Sequence, residues 1–127
     1  AAEGEYAAKG GHDHEKFFYS GGNDMDKVVW FALNSDLRTH PVGKKAPNKL
    51  GVYDMSGNCW EWCSDWYGPY TAAEQTNPTG PDTGTARVMR GGGWRFYVIK
   101  TRTTFRRSMP PEFNGSGPGF RLAATRL

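Results

Sequence analysis

A chain of 127 residues can enclose one hydrophobic core and is too short for two, which points to a single domain over residues 1–127. Its 17 Gly, 8 Pro, 5 Trp, 6 Tyr and 7 Phe beside 37% hydrophobic residues describe irregular chain pinned by rings, each burying on the order of 150–250 Å²; disorder is excluded by the same aromatic content. No run reaches the eighteen or so apolar residues of a membrane span, the opening AAEGEYAAKGG lacks the basic-then-apolar order of a secretion signal, and the net charge of +3 is only mildly basic.

In chain order, Glu3 to Lys9 favours a short helix that stops at Gly10-Gly11. Between His12 and Asn34 the runs Phe17-Phe18-Tyr19 and Val28-Val29-Trp30-Phe31 suit short strands or anchored loops. Pro41, Gly43, Pro47, Asn48 and Gly51 then space a series of turns. The run from Gly51 to Tyr67 is rich in tryptophan, and strand alternation about Glu61 puts Trp60 and Trp62 on one face, where they read as core. Residues Gly68 to Gly84, polar and rich in Pro, Gly and Thr, read as a surface loop. Arg87 to Arg90 reads as a strand, Gly91-Gly92-Gly93 allows a turn or a close backbone approach, Trp94 to Phe105 holds several β-formers, and Gly119 to Ala124 reads as a closing strand.

Cys59 and Cys63 stand four apart, a spacing that frames neither a disulfide scaffold nor a zinc site, so two free, buried thiols are expected. The basic residues crowd the last quarter, at Lys100, Arg102, Arg106, Arg107, Arg121 and Arg126. They admit an anionic ligand, but the favoured expectation is that they pair with acids elsewhere, which leaves nucleic acid an unfavoured partner.

Four ordered segments carry more information: EYAAKGG, THPVGKKAPNKLGVYDMSGNCWEWCSDWYG, NPTGP with RVMRGGGW, and GFRLA. Together they resemble the formylglycine-generating-enzyme, or sulfatase-modifying-factor, domain over nearly the whole chain. The resemblance implies an α+β, C-type-lectin-like fold with little regular secondary structure, short strands and long ordered loops. Family members usually open the first helix with L-P-T-E-A-E-W-E-Y-A-A, and here Gly4 stands where the family has Trp and the chain begins inside that helix.

In the oxidase of that family, copper is held by two cysteines just after the R-G-G motif, because copper(I) prefers soft thiolates. The corresponding stretch here, GGGWRFYVIKTRTTFRRS, contains no cysteine; Phe96 falls at the first copper position, and Gly93 replaces the usual active-site serine. No copper and no catalysis are therefore expected, with a degenerate metal-dependent oxidase acting on cysteine-containing substrates as the alternative. Iron chemistry would need clustered histidines and a carboxylate, whereas His12 and His14 read as solvated and His40 as a structural hydrogen-bonding residue.

The resemblance further implies one structural calcium around Asp54 and Glu61, with carbonyls of Gly57 and Cys59, a set of hard oxygens suited to that ion. The competing expectation gives Asp54 to a turn and Glu61 to an arginine of the R-G-G or G-F-R segment.

Between the framework pieces R-G-G-x-W, T-F-R and G-F-R, the chain departs from the family pattern. Trp94, Arg95, Phe96, Tyr97, Val98, Ile99 and Lys100 form one run, Met109, Glu112, Phe113, Asn114 and Ser116 belong to a second from Met109 to Gly117, and Arg107 is a further candidate contact between them. Exposed aromatics, Met and Arg are the types enriched at binding hot spots, and the arrangement resembles variable proteins of diversity-generating retroelements. That implies a ligand-binding domain for a protein or cell-surface ligand, at the cell surface, secreted or phage-borne. The alternative reading buries Phe96, Val98 and Ile99 as one face of a strand. Trp60, Trp62, Trp94, Arg90 and Arg121 are expected as buried or partly buried supports.

Overall fold

The computed structural model describes residues 1–12, 16–69 and 78–124 of the chain. Helix α1 (Ala2–Ala8) ends where expected, at Gly10 and Gly11, both with positive φ. A second short helix, α2 (Met25–Val28), begins at Asp24, whose side chain accepts the Asp26 N–H at 3.2 Å; this N-cap satisfies an otherwise orphaned donor of the first turn.

The sheet has four strands in the order β3-β2-β1-β4. Strand β1 (Trp60–Trp66) pairs antiparallel with β2 (Arg87–Arg90), which pairs antiparallel with β3 (Arg106–Met109), while β4 (Pro118–Gly119) lies parallel to the start of β1. Within the tryptophan-rich run β1 begins only at Trp60, because Gly51, Asp54, Gly57 and Asn58 all take positive φ and keep the preceding chain in turns. The closing strand is likewise reduced to Pro118–Gly119, and Phe120 to Ala124 continue exposed, without a ladder.

Two buried asparagines hold the loops to this small sheet. Asn48 donates to the Ala7 carbonyl at 2.6 Å and to Ser20 Oγ at 3.1 Å, while its Oδ1 accepts from the N–H groups of Leu50 and Val52. Asn58 accepts the His40 N–H and donates back to the His40 carbonyl. Each amide thus satisfies loop backbone that a longer sheet would have paired. The His40 ring also does structural work, stacking on Trp30 at 3.7 Å with Nε2 at 2.6 Å from the Ser35 carbonyl oxygen.

The main apolar cluster is Tyr19, Val28, Val29 and Phe31, with Met25 and Val98 packed against it. Trp60, 1% exposed, fills the space beside the sheet. Trp62 does not join it as core: the ring is half-buried and lines a groove of about 490 Å³ beside α1, along with Ala7, Ala8, Cys63, Arg90 and Arg121. No helix among the described residues is long and apolar enough to cross a membrane.

Candidate functional site

Trp60 is the floor on which the two departing segments converge. Phe96 meets its ring edge-on at 5.4 Å, Phe105 packs at 6.0 Å, and the Arg107 guanidinium stands 5.6 Å above it. Gly117 accepts the Trp60 N–H through its carbonyl at 3.1 Å, which ties the loop of residues 110–117 to the same ring. Gly93 lies so close that a Cβ there would be 3.2 Å from the indole. Gly92, at φ +72°, turns the chain where a Cβ would meet the Lys100 carbonyl oxygen at 2.8 Å. The triple glycine is needed for close approach as well as for turning.

The run after it is therefore no strand. The Phe96 N–H donates to the Gly93 carbonyl, the Trp94 N–H to Asn58, and Val98–Thr101 form a single 3-10 turn. Burial nonetheless alternates. Arg95, Tyr97 and Ile99 face outward, with Tyr97 74% and Ile99 51% exposed, while Phe96 and Val98 are turned inward and Thr101 is fully buried. Val98, predicted as ligand-contacting, packs against the apolar cluster, and Phe96 supports Trp60; both are framework. Ile99, which the alternative reading buried with Phe96 and Val98, faces outward instead. Trp94 is half-buried and its carbonyl accepts the Ser35 hydroxyl at 2.6 Å. Lys100 is half-buried, its ammonium 4.6 Å from the Phe105 ring centre.

Of the second segment, Arg107 and Met109 lie half-buried on edge strand β3. Glu112, Asn114 and Ser116 are exposed, as is Phe113, whose ring lies against Gly115. A contributor missed in the sequence is the loop of residues 31–37. The Ala32 N–H donates to the Phe96 carbonyl at 3.0 Å, which sets Leu33, 82% exposed, beside the run, and Leu37, 65% exposed, belongs to the same loop. Two leucines, Leu33 and Leu37, in a short stretch with Asn34, Ser35 and Asp36 were the available signal, but nothing local in sequence brings residue 32 to residue 96.

The cations of this face meet rings. Arg95 stands over Trp94 and Phe96, Arg107 over Phe96 and Trp60, Lys100 over Phe105, and Arg102 over Phe18, all within 5.7 Å of a ring centre. Of the basic residues expected to pair with acids, Arg121 does so with Glu61, Lys100, Arg102 and Arg107 form no ion pair among the described residues, and Arg126 lies outside them; Arg90 pairs with Glu5 at 2.9 Å.

The two carboxylates expected to hold calcium, those of Asp54 and Glu61, have other partners. Arg121 grips both Glu61 oxygens, at 2.5 and 2.8 Å, and reaches the Asp54 carbonyl at 3.0 Å, while Asp54 Oδ2 accepts the Gly43 N–H at 2.8 Å. Gly57 is buried, its N–H given to the Gly91 carbonyl, and Cys59 is half-buried. With a guanidinium already spanning the Glu61 carboxylate, a calcium ion there would have to displace Arg121. No group of three or more His, Cys, Asp or Glu among the described residues is arranged to hold a metal; His12 is exposed, and His14 lies outside the described residues. Arg121 stays at the rim, its side chain 37% exposed, so it is less buried than a core support. Its hydrogen bond to Glu61 raises its pKa further. Cys59 and Cys63 are free and half-buried rather than fully buried, and burial raises both thiols above the ordinary cysteine value.

Comparison with known proteins agrees with this architecture. The family model of the sulfatase-modifying factor enzyme 1-like domain matches residues 1–126. The chain is 36% identical over 144 residues to the chaperone protein LppX of Paenibacillus barcinonensis, covering 98% of this chain and 47% of that protein. It is 36% identical over 141 residues to the formylglycine-generating enzyme of Streptomyces coelicolor, covering 96% and 44%. Among solved structures it is similar to Treponema denticola variable protein 1, with a TM-score of 0.86 and 37% identity over 94% of this chain and 44% of that one. The chain thus spans less than half the length of each of these proteins. With its fold C-type-lectin-like and its motifs in the family order, the chain belongs to the sulfatase-modifying factor enzyme 1-like family.

Proposed function

We propose that the domain is a non-catalytic binding scaffold that presents Arg95, Tyr97, Ile99 and the loop of residues 110–116 to a protein or cell-surface ligand, as a retroelement-diversified variable protein would, at the cell surface, in secreted form or on a phage. The observation that carries this reading is the alternation on a fixed floor. Phe96 and Val98 are anchored inward, while their neighbours at 95, 97 and 99 are displayed and held by backbone hydrogen bonds that do not depend on side-chain identity. Such a frame tolerates exchange of the displayed residues without loss of the core.

Two further features support it. Phe96, at the position the resemblance gives to a copper ligand, is an apolar support of Trp60, and an aromatic ring offers copper no thiolate. Cys59 and Cys63 lie just before and within β1 rather than after the triple glycine, where the resemblance puts the copper ligands.

The reading is tested on close relatives and on the DNA around the gene. Substitutions are expected to concentrate at 95, 97, 99 and 112–116 while 96, 98 and 101 stay constant, with a reverse-transcriptase gene and a near-copy of the 3′ coding segment nearby. Constant displayed positions above a drifting Trp60 framework would overturn it. Oxygen uptake by the purified protein with copper or iron and a cysteine peptide would favour the oxidase instead.

A further inference from the structure

We infer that the partner of this face is an acidic protein surface, one that offers carboxylates around an apolar centre. The inference rests on the binding role proposed above and adds the chemistry of the ligand.

Charge is the first observation. Residues 94–109 contain Arg95, Lys100, Arg102, Arg106 and Arg107 and no acid, and the remaining cations of the chain's 16 are outnumbered by its 13 acids. The positive excess of the molecule is therefore carried by this one segment. All five stand over rings, and Arg95, Lys100, Arg102 and Arg107 form no ion pair among the described residues.

The consequence is geometric. A guanidinium laid on an aromatic face is held in place by the ring quadrupole, yet its N–H edge stays available for bidentate bonds to a carboxylate. An ion pair with an internal acid would have used that edge. Arg95 and Arg107 share the Phe96 ring, at 5.6 and 5.5 Å, and Arg107 is joined through Trp60 and Phe105 to Lys100. The three cations are thus one connected cluster on a rigid aromatic base.

The apolar groups choose among anions. Tyr97 and Ile99, exposed by 74 and 51%, lie between Arg95 and Lys100 in the chain, and Leu33, 82% exposed, follows Ala32, whose N–H donates to the Phe96 carbonyl. Sulfated saccharide or nucleic acid would leave the aliphatic side chains without an apolar counterpart, whereas an apolar centre with a charged surround is how protein interfaces are built.

The test uses the whole chain, immobilised on a biosensor, with four probes: poly(Glu,Tyr), poly(Lys,Tyr), heparin and a duplex DNA oligonucleotide. Poly(Glu,Tyr) is expected to bind best, to weaken as salt rises, and to lose about tenfold in affinity for Arg95→Glu, a reversal of one contact charge. Arg95 is exposed, so an unchanged melting curve certifies that variant. Stronger binding of heparin, DNA or poly(Lys,Tyr), or indifference of poly(Glu,Tyr) to Arg95→Glu, would overturn the inference. Tyr97→Ala separates the two ideas: if it weakens both tyrosine polymers regardless of their charge, the binding role stands and the acidic partner falls. If neither Tyr97→Ala nor Arg95→Glu changes the binding of any probe, both fall.

Discussion

Trp60 and Tyr97 are both large aromatics in glycine-flanked segments, and their surroundings give them opposite roles. Trp60 is enclosed by Phe96, Phe105, Gly93 and Gly117, so Trp60→Ala would leave a cavity and cost about 3–5 kcal/mol, a large share of the stability of a small domain. Tyr97→Ala removes an exposed ring and should change stability by less than about 0.5 kcal/mol. Urea denaturation of the two variants checks this; equal destabilisation would place the displayed run in the core. Trp62→Ala, at a half-buried ring beside the groove, should fall between them. The thiols give a residue-level prediction in pH. Cys59 and Cys63 are raised chiefly by burial, so the fold favours their protonated forms. Their contribution is fully present below the unfolded cysteine pKa of about 8.5 and is lost as pH rises through the higher folded values. Stability should decline on that alkaline side, and at pH 8 iodoacetamide should alkylate the folded protein more slowly than the urea-unfolded chain.

The segment from Gly91 to Thr101 was readable as framework followed by variation, but its shape was not. Several β-formers suggested extended chain, and the close packing of Gly92 against Lys100 and Thr101 curls it into a turn. Gly92→Ala should therefore cost more than loss of glycine flexibility alone, since the residue is at φ +72° and its Cβ would strike backbone. A fall in melting temperature of several degrees is expected, on the order of 1–3 kcal/mol of strain. The alternation makes a second prediction. Val98→Asp, placing a charge against the core cluster, should unfold or severely weaken the domain, while Ile99→Asp should leave its melting curve nearly intact. Similar losses for both would mean that Ile99 is also buried on folding.

For the molecule as a whole, the Arg121–Glu61 contact joins the end of the chain to β1, and Arg121 also reaches Asp54 in the turns before it. At the rim its energetic value is about 0–1 kcal/mol after screening, and its structural effect is to occupy the carboxylate that the family resemblance assigned to calcium. The melting temperature should accordingly be the same in millimolar calcium and in EDTA; a rise of several degrees with calcium would show that the metal displaces the guanidinium. The motif order GNCWEW, RGGGW and GFR made the family, the loop-rich fold and the central strand legible in the sequence, because each motif demands a particular backbone: positive φ at Gly57 and Asn58, close approach at Gly92 and Gly93, an arginine for Glu61; the first helix was legible from the helix-favouring run Glu3 to Lys9 and its Gly10-Gly11 stop. Side-chain type alone also marked the displayed run as unusual. Which members of that run face outward, that Leu33 stands beside them, that Trp60 rather than Trp62 is the floor, and that the cations lie on rings were decided by tertiary structure. Those outcomes depend on contacts between residues far apart in the chain, such as Ala32 with Phe96 and Trp60 with Gly117, and no local propensity or spacing encodes which distant loop will supply the neighbour.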